Sequence, residues 1–358
     1  MPLIPGLQLA GEFYAEVVRP LLADEYPGLR YSSGLLGPGS EVLGFDSQRS
    51  TDHDWGPRLQ VFLSRDADPP AGEIGAMFAR RLPETFRGYR TVFGDAGDPD
   101  GAPRHRVQAV GLGTWLEGRL GFDASGPVGA LDWLAVPTQR LGEVTAGAVF
   151  HDGLGELGRT RARLAWYPHD VWLYVLAYQW QRIAQEEAFP GRCSEAGDEL
   201  GSAVVTARLA RDLMHLWLLM HRRYPPYSKW LGTAFARLPD AAGIASSLAG
   251  AVSAAGYRDR EEHLRRAYEA AAALHNRLGL TRPVDPVTRP FYDRPYQVLD
   301  AGRFTAALLG AIADPRVRQL YAVGAIDQFI DSTDALSNVS LLRAIGGTVS
   351  ARGVKRID

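Results

Sequence analysis

Asp52 and Asp54 stand one residue apart in the run Ser50-Thr51-Asp52-His53-Asp54-Trp55, with no Lys or Arg between them. In an extended strand alternate side chains share a face about 7 Å apart, so both carboxylates would point one way and His53 the other. Like charges so placed repel, and each raises the other's proton affinity. A divalent cation between them turns that repulsion into a binding site. Mg²⁺, or Mn²⁺ in its place, takes carboxylate oxygens at ~2.0–2.1 Å and is completed by water and substrate phosphate. The plainer alternative is two solvated acids at a strand end. Upstream, Gly39-Ser40 follows an apolar extended run, and residues 41 to 51 separate Ser40 from Asp52. A glycine lets backbone approach phosphate closely, and Ser40 offers an amide and a hydroxyl at the start of a following helix.

The elements that would hold these groups can be read from period and punctuation. Residues 11–26 read as an amphipathic helix with a kink at Pro20, and 29–40 as a short extended run turning at Gly37-Pro38-Gly39. Residues 52–63 read as a strand, 73–86 as a helix, and 105–116 as a strand or strand-turn. Residues 94–104 read as a loop, 136–147 as a helix, and 148–157 as a strand ending in a hairpin turn. After Tyr167-Pro168 the texture turns helical over 169–189, 197–224, 257–279 and 301–321, with a proline-rich connector at 280–297. The expectation is an α+β chain: a mixed sheet with helices over residues 1–160, then an all-helical domain over 161–358.

A strand, a Gly-Ser turn, a short helix and a second strand with Asp-x-Asp resemble the nucleotidyltransferase superfamily, the polymerase-β-like fold. The fuller string "GFDSQRSTDHDWGPRL", with "YPPYSKWLG" far downstream, resembles an uncharacterised bacterial branch of it that carries a helical C-terminal domain. The resemblance covers most of the chain. It implies that Gly39 and Ser40 hold a nucleoside triphosphate, and that Asp52 and Asp54 bind Mg²⁺ bridging its phosphates. The implied activity is transfer of a nucleotidyl group to a hydroxylated acceptor with release of pyrophosphate. A small molecule is the first expectation for the acceptor, a protein side chain the second and an RNA end the third. Two departures stand out. His53 replaces the usual apolar residue, and the expected strand of the third carboxylate offers Gln108, leaving Asp152 as the substitute with Glu117 behind it. Absence of that acid would leave a competing reading, a non-catalytic nucleotide-binding sensor or partner protein.

Other residues invite chemistry. Only Lys229 and Lys355 are lysines among 39 basic residues, so Lys229 is a candidate phosphate-binding charge, or else a surface residue beside a buried Trp230. Arg192 is a second candidate ligand residue, or a loop salt-bridge partner of Asp198. Arg208 and Arg211 read as a solvated or interdomain helix face. His-Asp doublets at 53–54, 151–152 and 169–170 raise a minor alternative, a His/Asp metal phosphohydrolase. Asp327, Asp331 and Asp334 have the spacing of one helical face, whether as ligands or as caps with Ser332. Trp172, Trp180 and Trp217 read as core.

Composition narrows the classes. A net charge of -2 and a pI near 6.5 give no global attraction to nucleic acid or anionic membrane. Cys193 is the single cysteine, the N-terminal residues lack a basic-then-apolar leader, and no apolar run reaches the ~20 residues of a membrane span. A cytoplasmic location is expected. No oligomeric state is readable.

Overall fold

The computed structural model describes residues 3–52, 55–93 and 104–350; the side chains of Asp52, Phe93 and residues 348–350 lie outside that description. The fold is α+β, with a mixed sheet and many helices. The chain forms two compact units, one of residues 1–128 with 140–165 and one of 129–139 with 166–358. The second division along the chain falls at 165/166, beside the 160/161 expected. A further eleven residues, 129–139, leave the sheet unit for the helical one.

The sheet unit opens with α1 (Gly6–Phe13), a π-helical turn (Tyr14–Val18) and α2 (Arg19–Glu25). Pro20 has no N–H to offer the preceding turn, and the ladder adjusts around it with wider bonds. The helix starts earlier than residue 11 because the Asp46 carboxylate accepts the Gly6 amide (2.8 Å), a cap forty residues away. Strands β1 (Tyr31–Leu35) and β2 (Arg58–Leu63) follow, then α3 (Ala71–Arg81). The short strands β3 (Thr85–Phe86), β4 (Tyr89–Arg90) and β5 (Val92–Phe93) lead to β6 (Arg104–Gly111) and α4 (Leu112–Leu120). After α5 (Ala130–Ala135), which belongs to the helical unit, come α6 (Thr138–Thr145), β7 (Ala148–Asp152) and α7 (Glu156–Leu164). The expected hairpin after β7 is thus a helix.

The five-stranded sheet runs β5-β6-β2-β1-β7. β2 lies antiparallel to β1 and parallel to β6, and β1 lies antiparallel to β7. Strand alternation divides β2 in two. Leu59, Val61 and Leu63 join the core made with Leu9, Phe13, Val18, Ile74, Met77 and Phe78. Arg58, Gln60 and Phe62 occupy the other face, where α4 places the Trp115 ring 5.4 Å from that of Phe62. One face of the sheet is therefore greasy, and the other carries polar groups.

The helical unit is built on α8 (His169–Glu186), α9 (Phe189–Glu195), α10 (Glu199–Met220), α11 (Ser228–Ala236), α12 (Ala241–Ser253) and α13 (Tyr257–Arg277). The connector holds a two-residue ribbon, β8 (Arg289–Pro290) with β9 (Gln297–Val298), so the unit is not wholly helical. Then come α14 (Gly302–Ala311), α15 (Pro315–Arg318), α16 (Ile326–Phe329), α17 (Thr333–Ser337) and α18 (Val339–Ser350). Trp172, Trp180 and Trp217 are buried, and each indole N–H has an acceptor: Leu219 O, His275 Nδ1 and Asp240 Oδ1. Arg182 clasps the buried Asp212 at 3.2 and 3.1 Å. No helix among the described residues is long and apolar enough to cross a membrane.

Candidate functional site

Leaving β1, the chain turns at Gly37–Ser40 and turns again at Ser40–Gly44, closed by Phe45 N–H to Ser40 O (2.7 Å) and Gly44 N–H to Glu41 O (3.1 Å). Ser40 therefore opens a turn and not the expected helix. Two backbone bonds pin this loop to the α6–β7 segment: Gly37 N–H to Glu143 O and Gly147 N–H to Val42 O, both 2.9 Å. Beneath it the buried Glu41 carboxylate accepts Arg58 Nε (2.7 Å), while Arg58 Nη2 reaches Pro38 O. Gly39 has φ +142°, and a Cβ there would stand 2.1 Å from Arg58 Nη2 and 2.6 Å from Glu41 Oε2. Among the described residues the amides of Gly39 and Ser40 and the Ser40 hydroxyl have no hydrogen-bond partner. The result is a donor-rich turn on a rigid ionic footing, the form of an anion-binding nest.

Register places this turn on the sheet. Gly34 pairs with Gln60, so Arg58 lies beyond Leu35, beside the turn. Arg106 pairs with Arg58 across the parallel β2–β6 ladder, which puts a second guanidinium at the same end. Asp52 lies six residues before Arg58, so its segment enters the sheet at this end. Asp52 closes a 3₁₀ turn (Gln48–Asp52), and the strand begins only at Arg58. The intervening Gly56-Pro57 explains the delay, since proline has no ladder N–H. Asp52 is thus in a 3₁₀ turn where a strand was expected; the expected pairing of the two carboxylates falls on His53, Asp54 and the Asp52 side chain, which lie outside the described residues.

Asp152 is at the other end. It pairs with Ser32, and it is Ala148 that pairs with Leu35 at the turn end. Three strand steps from Ser32 to Leu35 amount to roughly 10 Å. Its carboxylate accepts the Ser32 hydroxyl (2.6 Å) and the Gly158 amide (2.9 Å), which ties β1 to the start of α7. Burial opposes its charge, yet the Ser32 hydroxyl and the amides of Gly158, Leu157 and Gly155 hold the carboxyl below its ordinary range. Asp152, expected as the third acid, caps the first turn of α7 and ties it to β1. Gln108 does face Gln60 across β2–β6 and is exposed, as is Glu117 on α4.

The remaining candidates are on the helical unit. Lys229 is exposed in the first turn of α11, its ammonium 5.1 Å from the centre of the Trp230 ring, and Trp230 is half-buried. Arg192 lies in α9, 5.5 Å from the Phe189 ring, and lines a cleft of about 590 Å³ with Glu195, Tyr292, Arg294 and Tyr296. It forms no loop bridge with Asp198, which instead caps α10 through the Gly201 amide (2.7 Å). Arg208 pairs with Glu186 and Arg211 lies 4.0 Å from Asp212, contacts within the unit.

The three late aspartates do not share a helical face: Asp327 is in α16, Asp331 in the link and Asp334 in α17, which Ser332 caps. Asp327 accepts the Thr138 amide and hydroxyl at 2.7 and 2.6 Å. Asp170 accepts the amides of Ala313 and Asp314, so the third His-Asp doublet is structural. Among the described residues no group of three His, Cys, Asp or Glu could hold a metal ion.

Three residues that meet at the turn escaped sequence reasoning: Glu41, Arg58 on β2, and Arg119 on α4, whose guanidinium would lie 3.8 Å from a Cβ on Gly37. Glu41 and Arg58 meet only through sheet register, seventeen positions apart. Over residues 133–231 the chain is similar to a family described as a domain of unknown function (DUF4037), a stretch that begins after the Gly37–Ser40 turn and runs mostly through the helical unit. No curated protein matches the chain.

Proposed function

We propose that the protein is a Mg²⁺-dependent nucleotidyltransferase whose sheet unit has the nucleotidyltransferase fold, moving a nucleotidyl group from a nucleoside triphosphate to a hydroxylated acceptor. The observation that carries this reading is the Gly37–Ser40 turn, whose Gly39 and Ser40 amides have no partner among the described residues, at the sheet end where the segment that follows Asp52 enters β2. Two carboxylates are the hard oxygen donors Mg²⁺ takes, so Asp52 and Asp54 would hold it; when bound, the ion neutralises phosphate charge. The Gly39 and Ser40 amides bind phosphate oxygens, and the Ser40 hydroxyl adds one donor. The Glu41–Arg58 pair positions the turn. An acceptor hydroxyl oxygen bonds to the α-phosphorus as the bond to the bridging oxygen breaks; pyrophosphate leaves with that electron pair, and the hydroxyl proton passes to water. A small molecule is the first choice of acceptor.

The place of Asp152 favours a second reading, a non-catalytic nucleotide-binding protein. The acceptor's proton needs a base, and Asp152 is held at the far end of β1. One experiment separates the two. The full chain is incubated with each labelled nucleoside triphosphate, Mg²⁺ and cell extract, and pyrophosphate and labelled product are measured beside Mg²⁺-dependent nucleotide affinity. Transfer that disappears in Asp52→Asn and Asp54→Asn is the expected result. Mg²⁺-dependent binding without turnover would leave the sensor reading, and no Mg²⁺-dependent binding of any triphosphate would overturn both.

A further inference from the structure

Arg119, in the last turn of α4, packs against the same glycine turn. A Cβ built on Gly37 (φ +92°) would lie 3.5 Å from Cζ2 of Trp115 and 3.8 Å from Cζ and Nε of Arg119. The guanidinium rests 5.8 Å from the Trp115 ring centre and is half-buried. Arg58 commits Nε and Nη2 to Glu41 and Pro38, and Arg140 donates to the Arg119 carbonyl at 2.9 Å. The Arg119 guanidinium itself has no hydrogen bond and no carboxylate at ion-pair distance among the described residues. Burial lowers its proton affinity, Glu143 attracts it, and Arg140 and Arg58 repel it. The Arg58 and Arg119 guanidinium groups thus flank the turn, with that of Arg140 at the Arg119 carbonyl.

A half-buried cation without a close counter-charge is costly, and natural chains keep such groups where an anion meets them. We propose that Arg119 binds a phosphate oxygen pair of the ligand held by the Gly39 and Ser40 amides. The inference rests on the phosphate-cradle part of the reading above and identifies the cation that serves it. A planar fork suits two oxygens of one phosphoryl group, and the Trp115 face fixes its plane. The shared ligand chemistry is a phosphate ester or anhydride, and its source is either the tail of a nucleotide or free pyrophosphate.

The test is calorimetric titration of the full chain with pyrophosphate, orthophosphate, each nucleoside triphosphate with and without Mg²⁺, and the parent nucleosides. Arg119→Met keeps a long stem on Trp115 and removes the charge. It should weaken pyrophosphate and triphosphate binding at least tenfold, leave any nucleoside affinity unchanged, and leave the melting temperature equal or higher. Arg119→Lys, which restores the charge without the fork, should recover part of the loss. Pyrophosphate binding without triphosphate binding would keep the Arg119 assignment and discard the transferase reading. Triphosphate binding or transfer undiminished in Arg119→Met would discard the assignment and leave that reading standing. Absence of binding by every phosphate compound to the wild-type chain would overturn the assignment outright.

Discussion

Ser40 and Gly39 are neighbours whose substitutions report different physics. Among the described residues the Ser40 hydroxyl touches no partner, so Ser40→Ala should leave the melting temperature unchanged. It should weaken triphosphate binding by about 1 kcal/mol, the worth of one hydrogen bond. Gly39→Ala should act first on the fold. Its methyl would collide with the Arg58–Glu41 pair at a φ that side chains avoid, at a cost of roughly 1–3 kcal/mol in chemical denaturation. A Gly39→Ala chain as stable as wild type would mean that Arg58 swings aside freely, and the turn would lose its claim to rigidity. Gly-Pro-Gly-Ser signalled a turn here, but not the ion pair beneath it, because Glu41 and Arg58 are joined by strand pairing.

At the scale of elements, β7 and α7 show how a plausible acid becomes a joint. Asp152 ends β7, ties back to Ser32 on β1 and accepts the Gly158 amide within the first turn of α7. Asp152→Asn leaves one acceptor oxygen for two donors, so it should lower stability by about 1 kcal/mol, the worth of one hydrogen bond, with nucleotide affinity unchanged. Thermal denaturation beside nucleotide titration checks this, and abolished transfer at unchanged stability would return Asp152 to a chemical role. Period alone marked β7 as a strand. The helix after it was misread as a hairpin because Gly153-Leu154-Gly155 punctuates both kinds of turn equally well.

For the whole molecule, a buried histidine in the helical unit links stability to pH. His275 accepts the Trp180 indole N–H (3.2 Å) and has Thr281 Oγ1 3.1 Å from Nε2; burial pulls its pKa down to about 4. The folded state thus prefers neutral imidazole. Its contribution is complete above the unfolded value near 6.5 and is lost as pH falls toward 4, up to about 3 kcal/mol. Glu187, raised by burial to about 7, acts with the opposite slope between roughly pH 4.5 and 7, so the difference between two chains is the useful quantity. His275→Gln should be less stable than wild type at pH 7.5, and the gap should narrow by 2–3 kcal/mol on acidification to pH 4.5. A gap independent of pH would show that His275 does not titrate with unfolding.

What the sequence determined by itself was local. Residues a few positions apart decide helical period, strand alternation and turn punctuation, so the α+β class, the Gly37–Ser40 turn, the long helices α8 and α10, and their buried tryptophans were all readable. Tertiary structure alone decided which charges meet. Asp46 caps a helix forty residues upstream, Arg58 grips Glu41, Arg119 packs against Gly37, and Asp152 falls at the end of β1 away from the Gly37–Ser40 turn. Each of these depends on strand order and register, on the packing of a helix, or on the return of a distant loop. Those are set by burying one hydrophobic sheet face against α1, α2 and α3, a property of the assembled unit that no short stretch of chain contains.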